Sequence, residues 1–439
     1  MRFAEGTAGR PEGMGIERMP LQNGLPMSFW EAYSAFANSG GGTVFLERTG
    51  VFESELKDAA EEIRRGVSDR SVISDNVLTD SGISVSEKGI EVRIPGADRY
   101  LRPVYAGESP LTGTFVRSGG RTVRCGSGNV LSMMRDASDS AADSEPIPGV
   151  TIDYADVRSV KKFRGIINSA TGNSIWKGVT DREFLLSSGA AAVYGETECL
   201  TPAGMLLFSG HFVSSARYRG YLLEYSEAGY SFSSDDGSRS GSIADYFYAV
   251  SERLKRRLGG ASGPAEELLL NALAHSDYAF GKGVSAKVSA RSFSVTNYGL
   301  FRPEPAEAFG GERDRRNPVL SGLLGLISPC RGTGPAVSAL EALGYEVSLR
   351  ENLITGSVEI TADSGTGKTS ENIEEIILEE ISADPSATVK ELSERTGINR
   401  RRMERGIAGM KSAGILGREG SRRSGIWVIL RPSGKHPLP

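Results

Sequence analysis

The sequence predicts an α+β chain of several domains, on three observations. At 439 residues the chain is too long for a single hydrophobic core. Segments of helical periodicity alternate irregularly with short apolar runs of strand length. Charge is also uneven: the chain carries net −4, yet residues 390–435 hold 12 basic against 4 acidic residues, so a basic module closes an acidic body.

Taken in order, residues 1–11 are glycine-rich and read as a flexible N-terminus. An α/β unit follows, with helices expected over 29–37 and 54–65 and strands over 43–47, 90–95, 104–106 and 113–117. A helix over 128–136 closes it, and the polar Ser/Asp-rich stretch 137–145 has the composition of a linker. Mixed helix is expected over 161–186, a buried strand over 201–208, and a strand over 218–225 that pairs with it. After a Gly/Ser/Asp loop at 231–242 come helices over 244–257 and 267–275, then strands over 284–290 and 292–297. Turns at 314–318 and 332–334 lead to a helix over 337–343 and strands over 347–350 and 357–361. Residues 363–368 (Asp-Ser-Gly-Thr-Gly-Lys) lack the full G-x-x-x-x-G-K-[ST] spacing and read as a linker. Helices over 373–381, 388–396 and 400–413 and a hairpin over 414–430 complete the chain.

Cys125, Cys199 and Cys330 and the three histidines, His211, His275 and His436, are scattered without metal-ligand spacing. So few cysteines suit a reducing compartment. No apolar run reaches the roughly 18 residues that span a bilayer, and the first residues lack the apolar core of a signal peptide. A cytoplasmic protein with no membrane partner is expected.

The most informative segment is Glu267-Leu-Leu-Leu-Asn271-Ala-Leu-Ala-His275. Positions i, i+4 and i+8 turn through only about 80° in two helical turns, so three polar side chains share one side of an apolar helix. A buried carboxylate and amide need partners, so the stripe is expected to line a polar cavity. Glu-x-x-x-Asn suits a magnesium–nucleotide pocket, with a carboxylate to orient water and an amide oxygen for the metal.

The sequel, Asn271-Ala-Leu-Ala-His275-Ser276-Asp277-Tyr278, resembles the Asn-Ala-x-x-His-Arg-Asp-Tyr signature of the divergent RecG-like, GHKL-type ATPase domain of Schlafen/AlbA-like prokaryotic proteins. Ser276 stands where that family usually has arginine. Thr201-Pro-Ala-Gly-Met-Leu-Leu-Phe208 is similar to the strand that precedes the family's ATPase-like region. Val295-Thr-Asn297-Tyr-Gly299 is similar to its Ile-x-Asn-Pro-Gly-Gly turn, Arg316-Asn317-Pro318 to its Arg-Asn-Pro, and Gly332-Thr333-Gly334 to its Gly-Ser/Thr-Gly turn. The resemblance implies ATP and Mg2+ as cofactors. Glu267 would act on water, Asn271 would hold the metal, and Asn297 and Gly299 would face the base. Backbone N–H groups at Gly332, Thr333 and Gly334 would face phosphate. The segment after Gly334 runs straight into Pro335, a short lid that favours nucleotide sensing over hydrolysis.

Upstream, Ala35-Phe-Ala-Asn38-Ser-Gly-Gly-Gly resembles the Ala-Phe-Ala-Asn-x-x-Gly-Gly turn of the Schlafen/AlbA-like domain, and Glu12 and Glu17 match its two acidic positions. Arg102-Pro-Val-Tyr105 and Thr114-Phe-Val-Arg117-Ser-Gly119 resemble its later strands. The resemblance implies a carboxylate metal site at Glu12 and Glu17 for nucleic-acid cleavage. The family's Gly-Val-x-Asp segment is replaced here by Glu47-Arg48-Thr49-Gly50, so a third carboxylate is not in register, although Glu47 could substitute. Arg117, Arg121 and Arg124 either track a phosphate backbone or are solvated.

The final three helices and hairpin, with Thr-x-x-Glu-Leu-x-x-x-Thr-Gly-Ile, look like a winged helix. Arg400, Arg401, Arg402, Arg405 and Lys411 would lie on its recognition helix, and Arg418, Arg422 and Arg423 on its wing. Ile398, Met403, Ile407, Met410 and Trp427 are expected core.

The expected organisation is therefore a Schlafen/AlbA-like domain over 12–138, a connecting α/β segment over 139–255, an ATPase-like α/β sandwich over 256–363 and a winged helix over 370–432. The expected role is a DNA-binding transcriptional regulator whose ATPase-like domain either senses a nucleotide, a purine nucleotide being the candidate, or is degenerate and serves as a scaffold. Its partner would be double-stranded DNA, and two-fold sites would imply a homodimer. The alternatives are a Mg-dependent ATPase, a metal-dependent nuclease, or a non-catalytic interaction protein of defence systems.

Overall fold

The computed structural model describes residues 15–22, 24–138, 143–171, 176–237, 241–289, 291–301, 315–327, 333–364, 377–378, 380–382, 384–396, 400–420 and 425–430. The fold is mixed α+β, with several small sheets arranged around three main apolar cores.

The N-terminal core lies between a four-stranded sheet and two helices. Its elements are β1 (Ile16–Leu21), α1 (Ser28–Ala37), β2 (Gly41–Arg48), α2 (Glu53–Gly66), β3 (Ile83–Ser86) and β4 (Gly89–Pro95). The sheet order is β1-β2-β4-β3, with β1 parallel to β2 across the α1 crossover. The helix α1 is buried nearly all round and ends at Asn38, whose amide donates to Val104 O (2.8 Å) and Phe115 O (3.0 Å) and accepts from Val104 N (2.9 Å). The Ala-Phe-Ala-Asn motif therefore closes a helix onto the strand that begins at Phe115 and onto the chain at Val104, where residues 104–106 make only isolated bridges and not the expected strand. Gly41 follows with φ +95°, where any Cβ would meet the backbone of Ile94 and Gly96. Beyond this core come α3 (Pro110–Gly113), the hairpin β5 (Phe115–Ser118)–β6 (Arg121–Arg124), and α4 (Ser127–Asp136).

One continuous core then runs from Ile147 to Ala362, so the boundary expected at residue 255 falls inside it. It begins with α5 (Val157–Thr171), α6 (Asp181–Ser187), the hairpin β7 (Ala191–Tyr194)–β8 (Thr197–Leu200), α7 (Pro202–Phe208) and α8 (His211–Arg217). It continues through β9 (Leu222–Glu227), β10 (Tyr230–Ser233), α9 (Ile243–Leu258), α10 (Ser262–His275), β11 (Gly283–Val288) and β12 (Ser292–Tyr298). The last members are α11 (Pro318–Gly325), α12 (Thr333–Ala342), β13 (Glu346–Asn352) and β14 (Ser357–Asp363). The six-stranded sheet has the order β10-β9-β11-β12-β14-β13. Only β9 and β11 are parallel in it, joined by the long crossover through β10, α9 and α10.

Two sequence expectations fail here. Residues 201–208 form a helix, α7, and not a strand. Thr201 caps it, accepting from Gly204 N at 3.2 Å, and Pro202 occupies its first turn. All seven residues of α7 are buried, and a short run that is apolar on every side carries no period to separate helix from strand. The strand expected over 218–225 accordingly does not pair with it; β9 pairs with β10 and β11.

The C-terminal core is built by helical residues 377–378 and 380–382, by α13 (Val389–Thr396) and α14 (Arg400–Ser412), and by the hairpin β15 (Leu416–Glu419)–β16 (Ile426–Ile429). Thr388 and Glu391 form a capping box before α13, with Thr388 N donating to the Glu391 carboxylate at 2.7 Å. Met403, Ile407, Met410 and Trp427 are buried as expected; Ile398 and residues 365–368 lie outside the described residues. Trp427 pins the hairpin to the chain before α13, its N–H donating to Pro385 O and its indole N–H to Ala387 O, both at 2.8 Å.

Candidate functional site

Helix α10 carries the motif that dominates the sequence. Leu268, Leu269, Leu270, Ala272, Leu273 and Ala274 are all buried, so the helix sits inside the central core against β12, α9, α11 and α12. Glu267 is half-buried and Asn271 is 7% exposed. The Asn271 Nδ2 atom is buried and has no hydrogen-bond partner. Such an orphan is costly, on the order of 1–3 kcal/mol. Asn297 lies on β12 between Val284 and Val358, 9% exposed, with only a long 3.5 Å contact to Tyr298 O. Thr333 and Gly334 occupy the first turn of α12, where the sequence suggests a free turn; Gly332 lies outside the described residues. The strand bearing Asn297 and the helix bearing Thr333 thus both pack on α10.

The residues after the stripe do something else. Asp277 is almost wholly buried and accepts from Arg135 Nη1 (2.7 Å), from Ser132 Oγ (2.5 Å) and from the N–H groups of Ala279 and Phe280. Arg316, also buried, grips Asp136 in a two-pronged pair (3.0 and 2.6 Å) and donates to His275 O and Leu300 O. Asn317 spends its amide on Ala274 O (3.0 Å) and Ser276 O (2.8 Å). Gly299, at φ +103°, lies directly against the Arg316 guanidinium, where a Cβ would clash. These motif residues hold the carbonyl end of α10, which otherwise lacks partners.

Sequence reading missed the other half of this network. Asn129, Ser132 and Asp136 recur at three- and four-residue spacing on α4, a polar stripe beside the buried Val130 and Met133. That periodicity was the available signal. It also missed Asp143, inside the stretch read as linker, which caps α11 from a distance by accepting from Leu320 N at 2.8 Å. Burial raises the Asp143 carboxyl above its ordinary value, against the lowering effect of the Leu320 and Val319 N–H groups.

In the N-terminal domain, Glu17 on β1 pairs with the fully buried Arg117 and accepts from Thr122 Oγ1 at 2.8 Å. Arg117 also donates to Gly120 O and lies over the Phe36 ring at 4.5 Å. Glu47 pairs with Arg18 at 2.9 Å, and Glu12 lies outside the described residues. A cavity of about 480 Å³ opens beside Glu17, lined also by Arg18, Ser28, Glu31, Arg121 and Thr122. Among the described residues no three His, Cys, Asp or Glu side chains gather as a metal-binding group.

On α14, Met403, Ile407 and Met410 face inward while Arg400, Arg401, Arg405 and Lys411 are exposed. Arg400 pairs with Glu404 at 2.9 Å. Lys411 and Arg418 lie over the Trp427 ring at 4.9 and 4.7 Å, tying helix and hairpin together. Arg422, Arg423 and the Arg402 side chain lie outside the described residues.

Comparison with known proteins adds a partial family match. Residues 131–223 match the model of a domain of unknown function, DUF8451. No curated protein matches the chain. Among solved structures, the DIP2311 protein from Corynebacterium diphtheriae is similar at 13% identity and a TM-score of 0.40, with 97% of each chain covered. Among the described residues no helix is long and apolar enough to cross a membrane.

Proposed function

We propose that this chain is a DNA-binding regulator whose central domain takes a purine nucleotide. The observation that carries the first part is the division of α14: three apolar side chains fill the core while Arg400, Arg401 and Arg405 stand outside it. Three helical segments followed by a hairpin match the winged-helix pattern, in which that helix enters the major groove. Two further cations, Lys411 and Arg418, are spent partly on Trp427, so the reader's orientation is set before any duplex arrives. The test is duplex binding by the full chain with Arg401→Glu and Arg405→Glu. Binding as tight after both reversals as before them, or binding that lacks a salt slope near −0.9 per phosphate contacted, removes the DNA reading.

The nucleotide part rests on Asn271. The two ends of an amide are assigned from surrounding partners, and here one end has none. The residues fit a magnesium–nucleotide as oxygen donors: Asn271 would hold the metal through its amide oxygen, and Glu267, one turn earlier, would orient water. The metal would supply charge neutralisation at the phosphates, and the first turn of α12 offers N–H groups to an anion. Mg-ATP should raise the melting temperature of the wild type and leave Asn271→Ala unmoved. The nuclease reading is weaker, because the Glu17 carboxylate is already engaged by Arg117 and Thr122.

A further inference from the structure

Helix α4 follows the N-terminal domain in sequence and packs Val130 and Met133 with Val116 and Cys125 of that domain and with Leu353 of the central one. Its polar face, however, is held by the central domain at three levels. Asn129 donates to Leu353 O (3.1 Å) and Ile354 O (2.8 Å) in the turn between β13 and β14. Ser132 and Arg135 hold Asp277, and Asp136 holds Arg316. Asp277 and Arg316 in turn fix the last turn of α10, through the chain that leaves it and through the His275 carbonyl. Asn271 lies one turn before that carbonyl. A helix is stiff along its axis, and a two-pronged arginine–carboxylate pair tolerates little displacement before it breaks. Packed elements of this kind switch between arrangements more readily than they deform.

We infer that α4 is a clasp through which any shift of α10 reaches the N-terminal domain, so that occupancy of the Glu267–Asn271 stripe controls how tightly that domain is held. The ligand half of this inference rests on the nucleotide reading; the clasp itself does not.

Hydrogen–deuterium exchange on the full chain separates the two. Asp136→Asn should speed exchange several-fold over residues 127–136 and also over residues 273–277, with residues 400–412 unchanged. Ser132→Ala removes a single hydroxyl from Asp277, keeps the fold, and should give the same pattern more weakly. Acceleration confined to residues 127–136 in both variants overturns the clasp. Mg-ATP should slow exchange of the wild type over residues 262–275 and 127–136 together. Slowing over 262–275 alone also overturns the clasp as a route between domains. No effect of Mg-ATP anywhere defeats the nucleotide reading and the ligand half with it, while the variants still decide whether the clasp exists.

Discussion

The two ends of the Asn271–Asp277 motif are put to opposite use. At its start, within α10, Asn271 is buried with an amide nitrogen that bonds nothing. At its end, His275, Ser276 and Asp277 are bound so fully that Arg316, Asn317, Arg135 and Ser132 are all engaged there. An interior polar group without a partner is a cost that folding alone does not explain, whereas a saturated one is scaffolding. The motif thus separates into a candidate binding position and the staple that fixes it, a distinction that residue identity alone does not reveal.

The comparison can be broken first at its saturated end. Arg316→Met leaves the Asp136 carboxylate without its two-pronged partner and the His275 and Leu300 carbonyls short of a donor, and should destabilise the chain by about 3–5 kcal/mol. Chemical denaturation measures this; a loss below about 1 kcal/mol would show that the network is ornamental. Against this interior network stands the exposed arginine set on α14. Reversing Arg401 and Arg405 together should leave stability unchanged and lower the salt slope of duplex binding by about 2, seen by fluorescence anisotropy across a salt series.

The unsaturated end predicts the reverse of the first result. Asn271→Leu, of the same branched shape and free of the orphan amide, should cost nothing or stabilise the ligand-free chain by about 1 kcal/mol, while abolishing any Mg-ATP stabilisation. A large destabilisation without ligand would mean that Asn271 is structural after all. The smallest effect concerns Asp143. Because burial raises its carboxyl, the folded chain keeps a proton that the unfolded chain has already lost. Stability therefore declines as pH climbs from 3.8, the ordinary value, through the raised one. Asp143→Asn should flatten that decline in melting curves taken between pH 4 and 7, with Leu320 N still donating to the amide oxygen.

Much of this architecture was legible in the chain. Helix α10, the inward Met403, Ile407 and Met410 and the outward arginines of α14 follow from spacing, because a 3.6-residue period assigns faces without knowing the neighbours. The α7 segment was misread because a run buried on every side has no period at all. Asp143 was hidden for a different reason. Ser/Asp-rich composition marks linkers on average, but it cannot show that one carboxylate among them reaches a helix far along the chain.

By itself, then, the sequence determined which side of each long helix is buried, where chain reversals fall, and that a basic module ends the chain, all local consequences of side-chain chemistry. Only the tertiary structure decided that Arg316, Asn317 and Gly299 serve the end of α10, that Glu17 belongs to Arg117, and that Asn271 is left unpaired. Partnership between residues that lie far apart along the chain depends on how separate elements pack, and no local pattern encodes it.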